Sequence, residues 1–275
     1  MNCAWNELLS IIPQRFRQQL DQLGKSDGQE LRLRLEQPPM LVRRSDIVFL
    51  QGLINTDDLN YVVNMTCRYS PWTAATATDG YVTAPGGHRI GMCGEALIKD
   101  GVMAGLKVLH SLNIRIARDL QGITRGLAET QGNILIVGPP GSGKTTLLRD
   151  IIRSFAKRET VCVVDERGEL FPTGFHRGQR LDVLLGCPKP IGLDRVLRTM
   201  SPNTIAIDEI TAVEDAQALQ HAAWCGVRLL ASCHAANQED LMRRSVYQPI
   251  MESKLFSTLV LMQPDKSFRV ERMRL

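Results

Sequence analysis

The stretch Asn133-Ile134-Leu135-Ile136-Val137 runs straight into Gly138-Pro139-Pro140-Gly141-Ser142-Gly143-Lys144-Thr145-Thr146, and this junction decides how the chain is read. An unbroken aliphatic run suits a strand buried on both faces, as at the centre of a parallel sheet. Gly138 to Thr145 fits GxxxxGK[ST] without a mismatch. A helical pattern follows from Thr145 to Ala156. Strand, glycine loop and helix together are the context that gives this motif its meaning. Backbone N–H groups of such a loop wrap phosphates, and the helix N-terminus adds positive potential. Gly138 through Thr146 are the expected cradle. Lys144 is expected to reach the β- and γ-phosphates of ATP, and Thr145 to ligate Mg2+.

Further strands follow, each with polar residues at its carboxyl end, the edge where open α/β sheets bind ligands. Val161 to Val164 ends at Asp165-Glu166. Thr204 to Ile207 ends at Asp208-Glu209, about 60 residues after the glycine loop, the placement of an acidic box. Asp208 is expected to hold Mg2+ through water and Glu209 to polarise the attacking water. Glu166 is a second candidate for water or metal, or else a surface carboxylate paired with Arg167. Asp165-Glu166-Arg167-Gly168 also fits a GTPase DxxG, but the companion NKxD does not occur. Val227 to Ala231 ends at Ser232-Cys233-His234. His234 is placed to touch a γ-phosphate, or is a structural histidine. Arg195 and Arg198, on a helix before the acidic strand, are either phosphate-sensing groups, an intersubunit finger, or a solvated face. Phe256–Met262 and Phe268–Leu275 read as a closing hairpin around Pro264-Asp265-Lys266-Ser267. Trp72 and Trp224 read as packing residues.

The chain upstream reads differently, and the boundary is set at residues 1–122 against 123–275. Leu8, Leu9, Ile12, Phe16, Leu20 and Leu23 have helical spacing, stopped by Gly24. Leu31-Arg32-Leu33-Arg34-Leu35 alternates as a half-buried strand does. A second helix is expected from Thr56 as N-cap, with Asp57 and Asp58 in its first turn. Tyr81–Thr83, Arg89–Cys93 and Leu112–Arg118 read as strands, with turns at Pro85-Gly86-Gly87 and Asp100-Gly101. This is a small α+β unit.

Composition adds limits. The 275 residues allow one large domain or two small ones. Hydrophobic residues are 44% and charged residues 23%, as in a globular protein. A net charge of +4 does not by itself argue for nucleic acid. No apolar run reaches the ~18 residues of a membrane span, and no signal peptide is visible. The seven cysteines form no CxxC and read mostly as buried hydrophobes in a reducing compartment. The composition reads as a cytosolic protein.

The order of motifs is similar to RecA-like ATPases of the additional-strand class. Arg195 to Thr204 followed by Asp208-Glu209-Ile210 resembles the segment before the acidic box in type II and type IV secretion ATPases. Asp165 to Glu169 sits where their Asp box sits, and Ala231-Ser232-Cys233-His234-Ala235 resembles the end of their His box. Glu30-Leu31-Arg32-Leu33-Arg34, Gly86 to Glu95 and Asn113 to Arg118 extend the likeness, over nearly the whole chain, to the stage III sporulation AA family. The resemblance implies a RecA-like P-loop core with a mostly parallel sheet, preceded by a small α+β domain. It implies a ring-forming ATPase, a hexamer, cytoplasmic and peripheral to the membrane between mother cell and forespore. Its partners would be membrane components of a secretion-like channel. Its first domain would cover the nucleotide, with Arg89, Arg115 and Arg118 as candidate arginine fingers. Two features depart from the secretion motors: Cys225-Gly226-Val227 replaces a Thr-Gly-His, and the tetracysteine element is absent. Two other readings stay open: a nucleic-acid-linked RecA/AAA-type ATPase, and a nucleotide-gated scaffold with little turnover.

Overall fold

The computed structural model describes residues 2–25, 27–67, 80–124, 126–172 and 175–273. Trp72 lies outside these. Contacts divide the chain into two compact units, Met1–Asp119 with Pro172–Phe175, and Leu120–Phe171 with His176–Leu275.

The first unit begins with β1 (Asn2–Cys3), α1 (Trp5–Ile11) and α2 (Gln14–Gly24). The expected single helix is broken, because Pro13 has no N–H to continue α1 and instead caps α2. Next come β2 (Gly28–Arg34), β3 (Met40–Arg43), β4 (Ile47–Phe49) and α3 (Thr56–Cys67). The N-cap of α3 is Asn55 rather than Thr56. Asn55 Oδ1 accepts from Asp58 N–H and Asp58 Oδ2 accepts from Asn55 N–H, both at 2.9 Å. The unit closes with β5 (Tyr81–Thr83), β6 (Arg89–Lys99), β7 (Val102–Arg115) and β8 (Arg118–Asp119). Six strands form an antiparallel sheet in the order β4-β3-β2-β7-β6-β5. Its inner face, with Leu31, Leu33, Leu41, Ile90, Leu112 and Ile114, packs on Leu8, Phe16, Leu59 and Val62.

The second unit carries β9 (Ile134–Val137), α4 (Lys144–Ala156), β10 (Val161–Asp165), β11 (Leu181–Leu185) and α5 (Lys189–Met200). It continues with β12 (Thr204–Glu209), α6 (Val213–Trp224), β13 (Arg228–Cys233), α7 (Gln238–Arg243), α8 (Gln248–Glu252), β14 (Thr258–Met262) and β15 (Phe268–Arg272). The sheet order is β11-β10-β12-β13-β9-β14-β15, parallel except for β15. β13 therefore separates the glycine-loop strand β9 from the acidic strand β12. One sheet face, through Ile134, Ile136, Val163, Ala206 and Leu230, packs on Leu147, Leu148, Ile151 and Phe155 of α4. The other, through Leu135, Val137, Val164 and Ile207, packs on Leu193 and Val196 of α5 and Leu219 of α6. Each fully buried aliphatic side chain in these layers contributes about 1.5–3 kcal/mol.

Two expectations fail at the surface. Trp224 does not pack: it ends α6 at 75% exposure, just before the helix-ending Gly226 at φ 84°. Nor are the cysteines mostly buried. Cys162 and Cys233 are, whereas Cys93 and Cys225 are exposed.

Candidate functional site

The glycine loop joins β9 to α4 at the carboxyl edge of the parallel strands. Gly143 is the N-cap of α4 with φ 96°, a left-handed conformation that favours glycine. Gly138 is required for a different reason. A Cβ there would lie 2.7 Å from Met262 Cβ, so the first turn of the loop can pass over β14 only without a side chain. Ser142 Oγ donates to Pro139 O at 2.8 Å, bracing the loop from within. Gly141 faces open space and Pro140 is exposed. Thr146 is half-buried, next to Thr145 at the start of α4.

Lys144 is 5% exposed. Its ammonium donates to Pro139 O at 3.0 Å and lies 2.8 Å from His234 Nδ1. His234 Nε2 is 3.1 Å from Glu209 Oε1. Burial lowers the Lys144 pKa below the ordinary lysine value, against the opposing pull of Glu209, Cys233 and Asp208. The loop lysine, the strand-end histidine and the acidic-box glutamate thus form one chain of contacts.

Thr145 Oγ1 donates to Asp208 Oδ1 at 3.2 Å. Burial pushes the Asp208 carboxyl up to about 6, and the nearby Glu169 and Asp165 charges add to this. A hydroxyl and a carboxylate, aimed at each other beside the glycine loop, suit a hard divalent cation that completes its shell with other oxygen ligands and water. The pair fits Mg2+. Between β12 and β13 the register slips by one residue, from Ala206↔Leu230 to Glu209↔Ser232. This bulge falls on Ile207-Asp208 and re-aims the acidic pair at the sheet edge.

Asp165 and Glu166 part company. Asp165 is buried, and its carboxylate accepts the N–H groups of Glu169, Leu170 and Phe171 at 2.9–3.0 Å. It shapes the loop after β10. Arg149 of α4 holds the same loop by donating to the Glu169 and Leu170 carbonyls. Glu166 stands beside Asp208 and Glu209 on the wall of one small cavity of about 30 Å³. Its partner is not Arg167 but Lys189, at 2.6 Å. Lys189 is buried, and it also lies 3.5 Å from Asp215. Lys189 escaped the sequence reading, because a lysine at a helix start carries no motif.

Tyr247, also unforeseen, clamps the histidine backbone. His234 N–H donates to its hydroxyl at 3.2 Å, and the hydroxyl donates to His234 O at 3.3 Å. Arg195 is exposed, and Arg198 pairs with Asp194 at 2.8 Å; both lie on α5, against the sheet face opposite α4. In the first unit, Arg89 stacks on the Tyr81 ring at 3.9 Å and Arg115 lies 4.0 Å from Glu30. Arg118 donates to Gly28 O at 2.7 Å. Register puts Glu30, Arg115 and Arg89 side by side on the outward face of that sheet.

A family model described as sporulation stage III, protein AA matches residues 4–271. The chain belongs to that family. A relative from Bacillus subtilis (strain 168), Stage III sporulation protein AA, is 36% identical over 273 residues, covering 91% of this chain and 88% of its own length. Two solved structures share the fold of this stage III AA family member. The Legionella pneumophila ATPase DotB aligns with a TM-score of 0.62 at 17% identity, over 94% of this chain and 78% of its own. The pilus retraction motor PilT with bound ADP aligns with a TM-score of 0.65 at 15% identity, over 92% and 79%. The family member therefore has a RecA-like core with an additional strand, β13, between the glycine-loop and acidic strands, preceded by a small α+β part. Among the described residues, no helix is long and apolar enough to cross a membrane.

Proposed function

We propose that this stage III AA protein is a Mg2+-dependent ATP hydrolase that assembles into a hexameric ring. It works in the cytoplasm at the membrane between mother cell and forespore. There it energises assembly of, or transport through, a secretion-like channel built by membrane-protein partners. The Bacillus subtilis relative, a stage III sporulation protein, supports the sporulation setting, and the likeness to the ATPase DotB and the pilus retraction motor PilT supports a motor ATPase. The observation that carries the chemistry is the convergence of Lys144, Thr145, Asp208, Glu209 and His234 on one sheet edge.

In this reading Gly138 to Thr146 hold the phosphates by backbone and side chain. Lys144 leaves His234 for the β- and γ-phosphates. Thr145 and Asp208 hold Mg2+, which when bound neutralises charge developing on the phosphates. Glu209 accepts a proton from the attacking water and fixes its direction. Glu166, freed from Lys189, is the second carboxylate at that place. His234 follows the γ-phosphate. The first domain, taken as residues 1–122, covers the nucleotide and meets partners, with Arg89, Arg115 and Arg118 as its fingers. Arg195 and Arg198 serve a neighbouring subunit in the ring.

The test is ATP turnover by the purified protein beside Lys144→Ala and Glu209→Gln. We expect Lys144→Ala to lose nucleotide binding. Glu209→Gln should bind normally and turn over at least a hundredfold more slowly, the scale of a general base. Equal rates in all three would end the hydrolase reading. Tight binding without turnover, even with membrane partners added, would favour the nucleotide-gated scaffold. Stimulation by single-stranded DNA, steeply weakened by salt, would favour the nucleic-acid-linked ATPase.

A further inference from the structure

Among the described residues, Ser232 Oγ is buried without a hydrogen-bond partner, and Ser232 as a whole is 1% exposed. Native proteins rarely strand a buried hydroxyl, so each case calls for a cause. Its backbone carbonyl, in comparison, is employed: Ser232 O accepts Ile210 N–H at 2.9 Å. Side chains alternate along β13. Leu230 belongs to the cluster packed on α4, so Ser232, two residues on, faces the same side. His234, two further, continues that row toward Lys144 and Glu209. The hydroxyl thus lies directly beneath the candidate site. Across the ladder its neighbours are Ile136 on β9 and, past the bulge, Glu209 on β12.

We propose that Ser232 is a positioning residue whose hydroxyl donates to the Glu209 carboxylate in the nucleotide-bound state. The inference rests on the nucleotide reading of the site. Without nucleotide, His234 Nε2 holds Glu209, and Lys144 holds His234. Lys144 spends two of its three N–H donors on Pro139 O and His234 Nδ1, so reaching a β- and a γ-phosphate together takes the donor now on His234. Once it turns to phosphate, His234 is released and Glu209 loses that restraint. A carboxylate that must aim a water needs a fixed donor. Ser232 is the cross-strand neighbour with an unused O–H. The unmet bond in the nucleotide-free protein is then a local cost, recovered when the site is loaded.

The experiment is Ser232→Ala, with Ser232→Thr as the rescue. Removing a hydroxyl that has no partner should raise the melting temperature of the nucleotide-free protein by a few degrees. The same change should lower kcat for ATP about 10- to 100-fold, the loss of one hydrogen bond to a charged group, with KM unchanged. Ser232→Thr should recover kcat. A purely structural serine, replaced by alanine, would lower the melting temperature and leave kcat unchanged. Wild-type kcat in Ser232→Ala, or a lower melting temperature than wild type, overturns the proposal. If the wild type turns nothing over, the shift in melting temperature on adding MgATP is read instead. A smaller shift in Ser232→Ala than in wild type supports the proposal, and an equal one overturns it. Loss of that shift in Lys144→Ala reports separately on the nucleotide reading.

Discussion

Lys144 Nζ and His234 Nδ1 stand 2.8 Å apart. An ammonium only donates, so Nδ1 is the acceptor, and the ring proton sits on Nε2, facing Glu209 at 3.1 Å. The imidazole therefore competes with a phosphate for the lysine. Replacing His234 with Ala removes the competitor and one partly buried bond worth about 1 kcal/mol. ATP affinity should rise about fivefold, while turnover falls because the side chain proposed to follow the γ-phosphate is gone. Titration with a fluorescent ATP analogue and a phosphate-release assay read the two separately. Weaker binding together with slower turnover would show that His234 helps hold ATP rather than hold off Lys144.

Asp208 offers a pH test. Its carboxyl is raised to about 6 from an ordinary 3.8. The folded state then holds the proton more tightly than the unfolded chain does. This group's stabilising contribution is fully present below about pH 3.8 and is lost as pH rises through 6, with a total loss of roughly 3 kcal/mol. Asp208→Asn should remove that loss and make the nucleotide-free protein more stable than wild type at pH 7. It should also abolish any Mg2+ dependence of nucleotide binding. In the wild type, Mg2+-dependent binding should weaken about tenfold per pH unit below 6. Urea melts from pH 5 to 8, with and without Mg2+ and nucleotide, check all three.

His88 tests the first unit. It is fully buried; Nε2–H donates to Ala4 O at 2.7 Å and Nδ1 accepts Ala117 N–H at 3.1 Å. Desolvation lowers its pKa below 6.5. A depressed histidine contributes stability that is present above pH 6.5 and lost as pH falls through the lower folded value. His88→Gln keeps one donor and one acceptor but cannot be protonated. The acid limb of its stability curve should be flatter than that of the wild type, measured by circular dichroism. Parallel curves would remove His88 from the acid transition.

The candidate site is legible because its signals are local. The glycine loop, Asp208, Glu209 and His234 all sit at strand ends, and the strands are continuous apolar runs. β11 was not legible: Leu181-Asp182-Val183-Leu184-Leu185 lies at an edge, half-buried and without a clean period. Pro13 was overlooked inside a convincing helical pattern. For Glu166, sequence adjacency offers Arg167 as the alternative to a site role and says nothing about Lys189, which arrives from the start of another helix. Ser232 is marked in the sequence only as a polar residue at a strand end, since a stranded hydroxyl is a property of the packed sheet. His88 follows the Pro85-Gly86-Gly87 turn with no signal of its own, and only its bonds to Ala4 and Ala117 show what it does.

The place of β14 has a consequence for how the protein is made. It pairs with β9 on the side away from β13, and Met262 at its end underlies Gly138. Every other strand of that sheet except β15 is synthesised before it. During translation the phosphate strand therefore waits as an open edge, with β13 on one flank only. Such an edge invites pairing with a foreign strand. Until residues 258–262 are made, the chain has neither that flank of the sheet nor the floor of its glycine loop.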